Sequence, residues 1–198
     1  MALARLEERL GELERSADLY RQALRASNLD QTAAWRLAAL ELERGRSEEA
    51  EALLAGLPKD VLASPEAALR IARAEQAAGR PAVALARLEA ASRAHPESLS
   101  LRLAWSDLLS QGERPADARA AREAALAAAD RALGSDAPGR APILYYRAEL
   151  LSRLGRAPEA RASLEEALGA SRPLQGPVRA DAVALAKRLG APRDRADR

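Results

Sequence analysis

Residues 69–96 read LRIARAEQAAGRPAVALARLEAASRAHP, and this stretch contains the parts of one helical hairpin. Apolar side chains such as Leu85 and Leu88 recur at the three- to four-residue spacing of a helix. Gly79 suits a turn between two helices, because the residue after a helix commonly needs a positive φ. Pro81 then falls in the first turn of the second helix, where its missing N–H costs nothing. The stretch predicts a first helix (helix A), a tight turn and a second helix (helix B).

The same pattern returns along the chain at a fixed period. Gly11, Gly45 and Gly79 recur at every 34th position, and Ala50 and Ala84 are separated by the same interval. Two independent kinds of marker therefore report one repeat. Self-similarity at a period of about 20–50 residues is typical of proteins that stack one small supersecondary unit many times.

The fourth repeat carries an insertion of eight residues. Ala160 follows Ala118 by one period plus eight, and Gly155 follows Gly79 by two periods plus the same eight. The extra residues come after Ala125, in the stretch ALAAADRAL, which keeps its helical character. We therefore expect the fourth helix B to be longer than the others by about two turns.

The composition favours an all-helical protein without a nucleic-acid surface. Ala and Leu supply most of the 48% of hydrophobic residues, Phe is absent, and both abundant residues have high helix propensity. The 31 basic and 29 acidic residues leave a net charge of +2. Because the signs alternate and no block of basic residues occurs, we expect no nucleic-acid partner.

These repeats resemble the tetratricopeptide repeat family, in the form of a bacterial array. The family motif has small residues in both helices, a turn former between them, a bulky apolar residue in helix B and often a proline at the end. The family's early tryptophan is missing here, and Arg147 replaces a leucine in the fifth repeat. The resemblance implies an all-α, right-handed α-solenoid of about five antiparallel helix hairpins with a C-terminal capping helix. The third repeat fills the motif with Ala72, Gly79, Ala84, Leu88, Ala91 and Pro96.

The repeats predict a single array over residues 1–190, followed by a disordered tail at 191–198. A solenoid needs a terminal helix that is apolar on one face only, and residues 177–189 have that pattern. The alternative is that LGAP at 189–192 opens a further repeat, which would make the chain part of a longer protein. Residues 134–142, GSDAPGRAP, predict the most flexible connection. The expected repeats span 1–30, 31–64, 65–96, 97–140 and 141–174.

The sequence offers no arrangement of residues for catalysis. Cysteine is absent, which excludes disulfides and thiolate metal sites, and His95 is the single histidine. No glycine-rich phosphate loop, HExxH helix or EF-hand pattern occurs. Adjacent carboxylates such as Glu48 and Glu49 are expected on solvated helix faces. We therefore predict a protein that is not an enzyme and that holds neither a metal nor a cofactor.

The resemblance implies a protein or peptide partner, held in a concave groove that the A helices line. Trp and Tyr favour binding, because they bury a large area with few rotatable bonds. A second interpretation is that Trp35 and Trp105 fill space between neighbouring A helices. The Lys and Asn clamp of one chaperone-binding subfamily is absent, so the groove suits a segment with apolar and some acidic residues. The predicted groove residues are Trp35, Leu42, Leu69, Arg73, Gln76, Leu101, Trp105, Tyr145, Glu149 and Arg153.

We therefore predict a non-catalytic protein–protein interaction scaffold. The alternative is a structural spacer or periplasmic scaffold segment of a larger bacterial envelope machine, for exopolysaccharide export or pilus assembly. A third hypothesis is a repeat module of an enzyme or regulator whose active domain lies elsewhere. The charged start MALARLEERL and the lack of a long apolar run predict no signal peptide and no direct membrane insertion. We expect a cytoplasmic protein, or a periplasmic one if the chain belongs to an envelope protein, with the oligomeric state left open.

Overall fold

The computed structural model describes residues 1–27, 30–112, 114–134, 139–170 and 174–190. The predicted tail at 191–198 lies outside them. Every regular element within these residues is an α-helix, which confirms the all-α prediction. The helices are α1 (Ala2–Leu10), α2 (Leu13–Ala26), α3 (Gln31–Glu43), α4 (Ser47–Ala55), α5 (Lys59–Ala63), α6 (Pro65–Ala77), α7 (Pro81–Ala94), α8 (Leu99–Gln111), α9 (Pro115–Leu133), α10 (Arg140–Arg153), α11 (Ala157–Leu168) and α12 (Gly176–Leu189).

The chain forms two compact units, which we call the first unit (Met1–Pro96) and the second unit (Glu97–Arg198). Their boundary coincides with a predicted repeat boundary. The first unit contains the hairpins α1–α2, α3–α4 and α6–α7. The second contains α8–α9 and α10–α11, and α12 packs on both helices of the latter pair. Each unit is thus a stack of hairpins, while the prediction of one continuous array stays a prediction.

Most glycines of the A–B turns adopt the positive φ that the sequence predicts, whereas Gly112 in the fourth repeat has φ −87°. Gly45, Gly79 and Gly155 have φ values of 76°, 74° and 77°. At Gly79 the backbone N–H donates to the carbonyl of Gln76 at 3.0 Å, and the next N–H, that of Arg80, donates to Glu75 at 2.8 Å. These two bonds satisfy carbonyls at the end of α6 that have no partner within the helix. The turn is therefore built by hydrogen bonds that require a left-handed residue.

The B helices follow the predicted starts but differ in length. Pro81 and Pro115 are the first residues of α7 and α9, and Pro158 is the second residue of α11. Helix α9 has 19 residues against 14 in α7, so the fourth helix B is longer, as predicted, by about one and a half turns. The second repeat departs from the pattern. Its helix α4 ends after 9 residues, and the short α5 follows Pro58, which cannot continue a helix interior.

Small residues allow the helices of each unit to pack closely. In the first unit Ala38, Ala50, Ala67 and Ala74 are fully buried between α3, α4 and α6. Without side chains beyond Cβ, such positions let facing helices approach to the short end of the usual 8–10 Å axis separation. The second unit has an equivalent core between α10, α11 and α12, formed by Ala141, Leu144, Tyr145, Ala148, Leu164, Ala167, Leu174, Ala182, Leu185 and Ala186.

Candidate functional site

The A helices of the first unit are linked through one carboxylate, that of Glu8 on α1. Its Oε2 accepts hydrogen bonds from Tyr20 Oη at 2.9 Å and from Arg36 Nη1 at 3.0 Å, and its Oε1 accepts one from Arg70 Nε at 2.9 Å. The donors belong to α2, α3 and α6, so one side chain connects these three helices to α1. Charge-assisted hydrogen bonds of this kind are roughly twice as strong as neutral ones.

The surroundings of Glu8 keep its carboxylate ionised. Burial alone would raise the pKa of Glu8, but the hydrogen bonds from Tyr20 and Arg70 and the charges of Arg70 and Arg36 outweigh burial and lower it. Burial and the hydrogen bond to Glu8 raise the pKa of Tyr20 to about 12. The phenol therefore stays protonated and the carboxylate stays charged across the neutral range.

The two arginines extend this network over the surface of α3 and α6. Arg36 also pairs with Glu66, and its guanidinium lies 4.6 Å from the ring centroid of Trp35. Arg70 also pairs with Glu43, with 3.1 Å between Nη2 and Oε2. Each carboxylate of the network thus has an arginine partner. We call the surface that carries Glu8, Arg36, Glu43, Glu66 and Arg70 the first A face.

Further arginines of the first A face are exposed. Arg73 lies one turn after Arg70 on α6, and Arg5 lies one turn before Glu8 on α1. Neither makes an ion pair within the part of the chain that the structure describes. The predicted groove residues Leu69 and Gln76 are half-buried on the same helix as Arg73. The face then carries four arginines and three carboxylates, so these exposed cations leave it with an excess of one positive charge.

Two of the predicted groove residues of the first unit lie in the core instead. Trp35 is 4% exposed and Leu42 is 1% exposed, and both pack in the cluster that contains Ile71 and Leu54. An Ala-rich hairpin leaves space between neighbouring A helices, and a large aromatic ring fills it. For Trp35 the structure therefore favours the second interpretation of the sequence, in which the ring is part of the core.

In the second unit, too, some of the predicted groove residues are buried and others are accessible to solvent. Leu101 and Tyr145 are buried, whereas Trp105 is half-buried on α8 and retains contact with solvent. The phenol of Tyr145 donates to Glu149 Oε1 at 3.2 Å. Burial, and then the charge of Asp181, raises the pKa of Tyr145 to about 12. Trp105 is therefore the aromatic residue of the prediction that remains accessible to a partner.

The predicted residues Glu149 and Arg153 belong to an ion-pair network within the second unit. Glu149 contacts Arg153 one turn later, and Arg188 of α12 at 3.4 Å. Arg153 Nε donates to both carboxylate oxygens of Asp107 on α8, at 2.8 and 3.0 Å. Arg122 of α9 contacts the same aspartate at 3.2 Å. These charges connect helices to each other and are already neutralised by partners in the chain.

Three buried glutamates escaped the sequence analysis although they follow its period. Glu7, Glu41 and Glu75 recur at every 34th position and lie near the end of each A helix in the first unit. Glu75 Oε1 lies 2.6 Å from Arg87 Nη2, so its charge is compensated by helix B. The 34-residue spacing that identifies the turn glycines could also have identified these glutamates. A buried carboxylate needs a cation, so their ion pairs could then have been expected.

Glu41 has the richest surroundings of the three. It pairs with Arg21 of the preceding helix B, with Arg44 at 3.3 Å and with Arg46 at 3.5 Å. Beside it is an open cavity of about 550 Å³ between α2, α3 and α4. Two of its charged lining residues, Arg21 and Arg46, pair with Glu41, and Leu37, Ala52 and Leu53 form its apolar lining. The lining residues are Arg21, Leu37, Glu41, Arg46, Glu49, Ala52 and Leu53.

Among the described residues, no group of three or more His, Cys, Asp or Glu side chains is placed to hold a metal ion. Within the same residues, no helix combines the length and the apolar character needed to cross a membrane.

Comparisons with known proteins agree with the repeated hairpins. Two family models, both described as tetratricopeptide repeat, match the chain: one over residues 97–172, the other over 1–61 and 69–122. No curated protein matches the sequence.

Solved structures with the same architecture include two bacterial proteins. A thermophilic tetratricopeptide repeat protein of Thermus thermophilus is 25% identical, with a TM-score of 0.55 over 93% of this chain and 96% of that one. A tetratricopeptide repeat protein of Parabacteroides merdae is 18% identical, with a TM-score of 0.53 over 93% of this chain and 68% of that one. The second likeness concerns the fold alone.

Proposed function

Because the chain belongs to the tetratricopeptide repeat family, we propose that it is a non-catalytic scaffold that binds a segment of a partner protein on its first A face. Proteins of this family bind protein or peptide partners. The segment that fits best carries acidic residues together with at least one apolar side chain.

The excess positive charge of the first A face carries this proposal. Glu8 holds Arg36 and Arg70 in place, and Glu43 and Glu66 are paired with the same two arginines. The cations that remain for a partner stand on a surface whose geometry is fixed by these pairs. A rigid arrangement of this kind reduces the ordering cost of binding, and the positive potential steers an acidic segment toward the face.

Apolar anchors accompany the charges. Leu69 is half-buried one turn before Arg73 on α6, so an apolar side chain of the partner can pack there while a carboxylate meets the guanidinium. In the second unit, Trp105 offers a separate half-exposed aromatic surface. Aromatic and arginine residues are the most frequent hot spots of protein interfaces. We therefore assign Leu69 and Arg73 to partner binding in the first unit, and Trp105 in the second.

Reversal of one exposed charge tests the assignment. A peptide library of fixed apolar content and varied net charge is titrated against the full chain and against Arg73→Glu. We expect the wild-type chain to retain acidic peptides and Arg73→Glu to bind them at least severalfold more weakly. The preference should also weaken with added salt, because salt screens exposed charges.

Arg25→Glu is the matched control, since Arg25 is an exposed arginine on helix B without an ion pair among the described residues. It should bind as the wild-type chain does. Equal loss in both variants, or no preference for acidic peptides in the wild-type chain, contradicts the proposal. The alternative of a spacer in an envelope machine predicts that no peptide is retained at all.

A further inference from the structure

The outer side of α1 carries an apolar strip that no described helix covers. Leu3, Leu6 and Leu10 are 54%, 50% and 66% exposed, and Met1 is 42% exposed. Within the described residues, Val83 is the one other large hydrophobic side chain with this exposure. The three leucines lie on one face of the helix, since they step by three and four residues. A concentration of exposed apolar side chains on a soluble protein typically marks an interaction surface.

The repeat shows what this strip does elsewhere in the same chain. Leu37 and Leu40 on α3 lie one full period after the first two leucines of the strip. Both are buried, and the residues that cover them include Ala17 and Tyr20 of α2. Helix α3 therefore uses this face to pack against a helix B that precedes it. Leu3 and Leu6 on α1 thus occupy the positions that are buried on α3, whereas Leu10 corresponds to Arg44.

A buried charge beside the strip points to the same occupant. Glu7 is 8% exposed, and its ion pair within the described residues is with Arg15, at 3.5 Å. Its repeat equivalent Glu41 receives Arg21 from α2, the helix that covers α3. A helix docked on α1 in the same way would supply Glu7 with the corresponding arginine. A carboxylate removed from water is stabilised by such a cation.

We propose that the strip of Leu3, Leu6 and Leu10 is a docking site for an amphipathic α-helix with the apolar and basic pattern of α2. The recognised pattern is that of residues 17–24, Ala-x-x-Tyr-Arg-x-x-Leu, in which the apolar side chains cover the leucines and the arginine reaches Glu7. This site is independent of the partner surface at Arg73, because it lies on the outer side of α1 and is predominantly apolar.

The α2 sequence itself is the probe for this site. A fluorescent peptide of residues 13–26, LERSADLYRQALRA, is cross-linked between positions 22 and 26, both exposed in α2, because a short helix alone is marginal in water. Its binding to the full chain is followed by fluorescence anisotropy. We expect the wild-type chain to bind the peptide and Leu6→Glu to bind it at least about tenfold more weakly, because a charge would face an apolar partner.

Val83→Glu is the matched control, since it places the same charge at an exposed apolar position outside the strip. It should leave binding unchanged, and circular dichroism should show that both variants stay helical. A peptide with Arg21→Glu should bind the wild-type chain more weakly and regain affinity for Glu7→Arg.

Three results would overturn the proposal. The first is no binding of the peptide by the wild-type chain, and the second is equal binding by Leu6→Glu. The third comes from sedimentation: if the chain self-associates and Leu6→Glu abolishes self-association, the strip is an interface between copies rather than a site for a separate helix of this pattern. Binding that survives Leu6→Glu but is lost with Arg73→Glu would place the peptide on the first A face instead.

Discussion

The phenol of Tyr20 donates a hydrogen bond of 2.9 Å to the carboxylate of Glu8, across the interface between helix B and helix A of the first hairpin. The same carboxylate holds Arg36 and Arg70 from the two following A helices. One carboxylate thus fixes the hairpin internally and also its stacking on the next repeats. Removal of either partner of this hydrogen bond should therefore have measurable consequences.

Glu8→Gln should lower the free energy of unfolding by about 1–3 kcal/mol, because the amide offers one acceptor oxygen and no charge to the three donors that the carboxylate binds. Urea denaturation at neutral pH measures the change. Glu12→Gln is the control, as Glu12 is exposed and has no ion pair among the described residues.

The contribution of Glu8 to the free energy of unfolding should depend on pH in a defined direction. The pKa of Glu8 in the folded chain lies below its ordinary value of 4.5. Its stabilising contribution is therefore present above that value and is lost as the pH falls through the lowered pKa. The difference in stability between the wild-type chain and Glu8→Gln should shrink over that interval, and a constant difference would contradict the role of the charge.

The free energy of unfolding at alkaline pH should depend on Tyr20. Its pKa rises from an ordinary 10.0 to about 12 on folding, so the associated stability is complete below pH 10 and is lost as the pH rises toward 12. Tyr20→Phe should lose stability less steeply between these pH values in denaturant titrations. Tyr145 has a similarly raised pKa, so some slope should remain and should disappear in the double phenylalanine variant. Identical slopes in all variants would argue against buried phenols.

The two tryptophans should respond differently to truncation. Trp35→Ala should cost about 3–5 kcal/mol, because it removes a buried ring from the core of the first unit. Trp105→Ala should cost markedly less, since its ring is half-exposed. Tryptophan fluorescence provides an independent measurement: the Trp105→Phe chain, which retains Trp35, should emit at shorter wavelength than Trp35→Phe. Equal emission would mean that the two rings share one environment.

Two glycines form a matched pair for backbone strain. Gly79→Ala should destabilise the chain by about 1–2 kcal/mol, because its φ of 74° is unfavourable for any residue with a Cβ although nothing lies within 4 Å of that atom. Gly112→Ala should be nearly neutral or slightly stabilising, since Gly112 has φ −87°. Thermal unfolding of the two variants measures the contrast, and a larger loss for Gly112→Ala would be contrary to this account.

The repeat architecture could be read from the sequence because its markers are local. Gly45 and Gly79 report a turn that needs a positive φ, and Pro81 and Pro115 report the start of a helix B. Each of these residues acts through its own backbone, so its effect does not depend on distant partners.

The site was less accessible from the sequence, because exposure depends on what packs around a residue. Trp35 and Trp105 are the same residue type in equivalent helices of the repeat. Trp35 is nevertheless buried in the core, whereas Trp105 keeps contact with solvent. The Glu8 network was missed for the same reason. It joins residues separated by 28 and 62 positions, and no local pattern pairs them. Family positions predicted that the A helices carry the surface, but not which side chains remain free on it.

The buried glutamates at every 34th position affect which helices pack against each other. Helices made mainly of Ala and Leu resemble one another, so many wrong pairings would bury a similar apolar area. A hairpin shifted along the stack would bury Glu41 without Arg21, the cation that the preceding helix B supplies, whereas Glu75 would keep Arg87 of its own hairpin. The ion pair between Arg21 and Glu41 therefore favours the native neighbour of the second hairpin over another helix of similar apolar content, while the pairs of Glu7 and Glu75 stabilise their own hairpins.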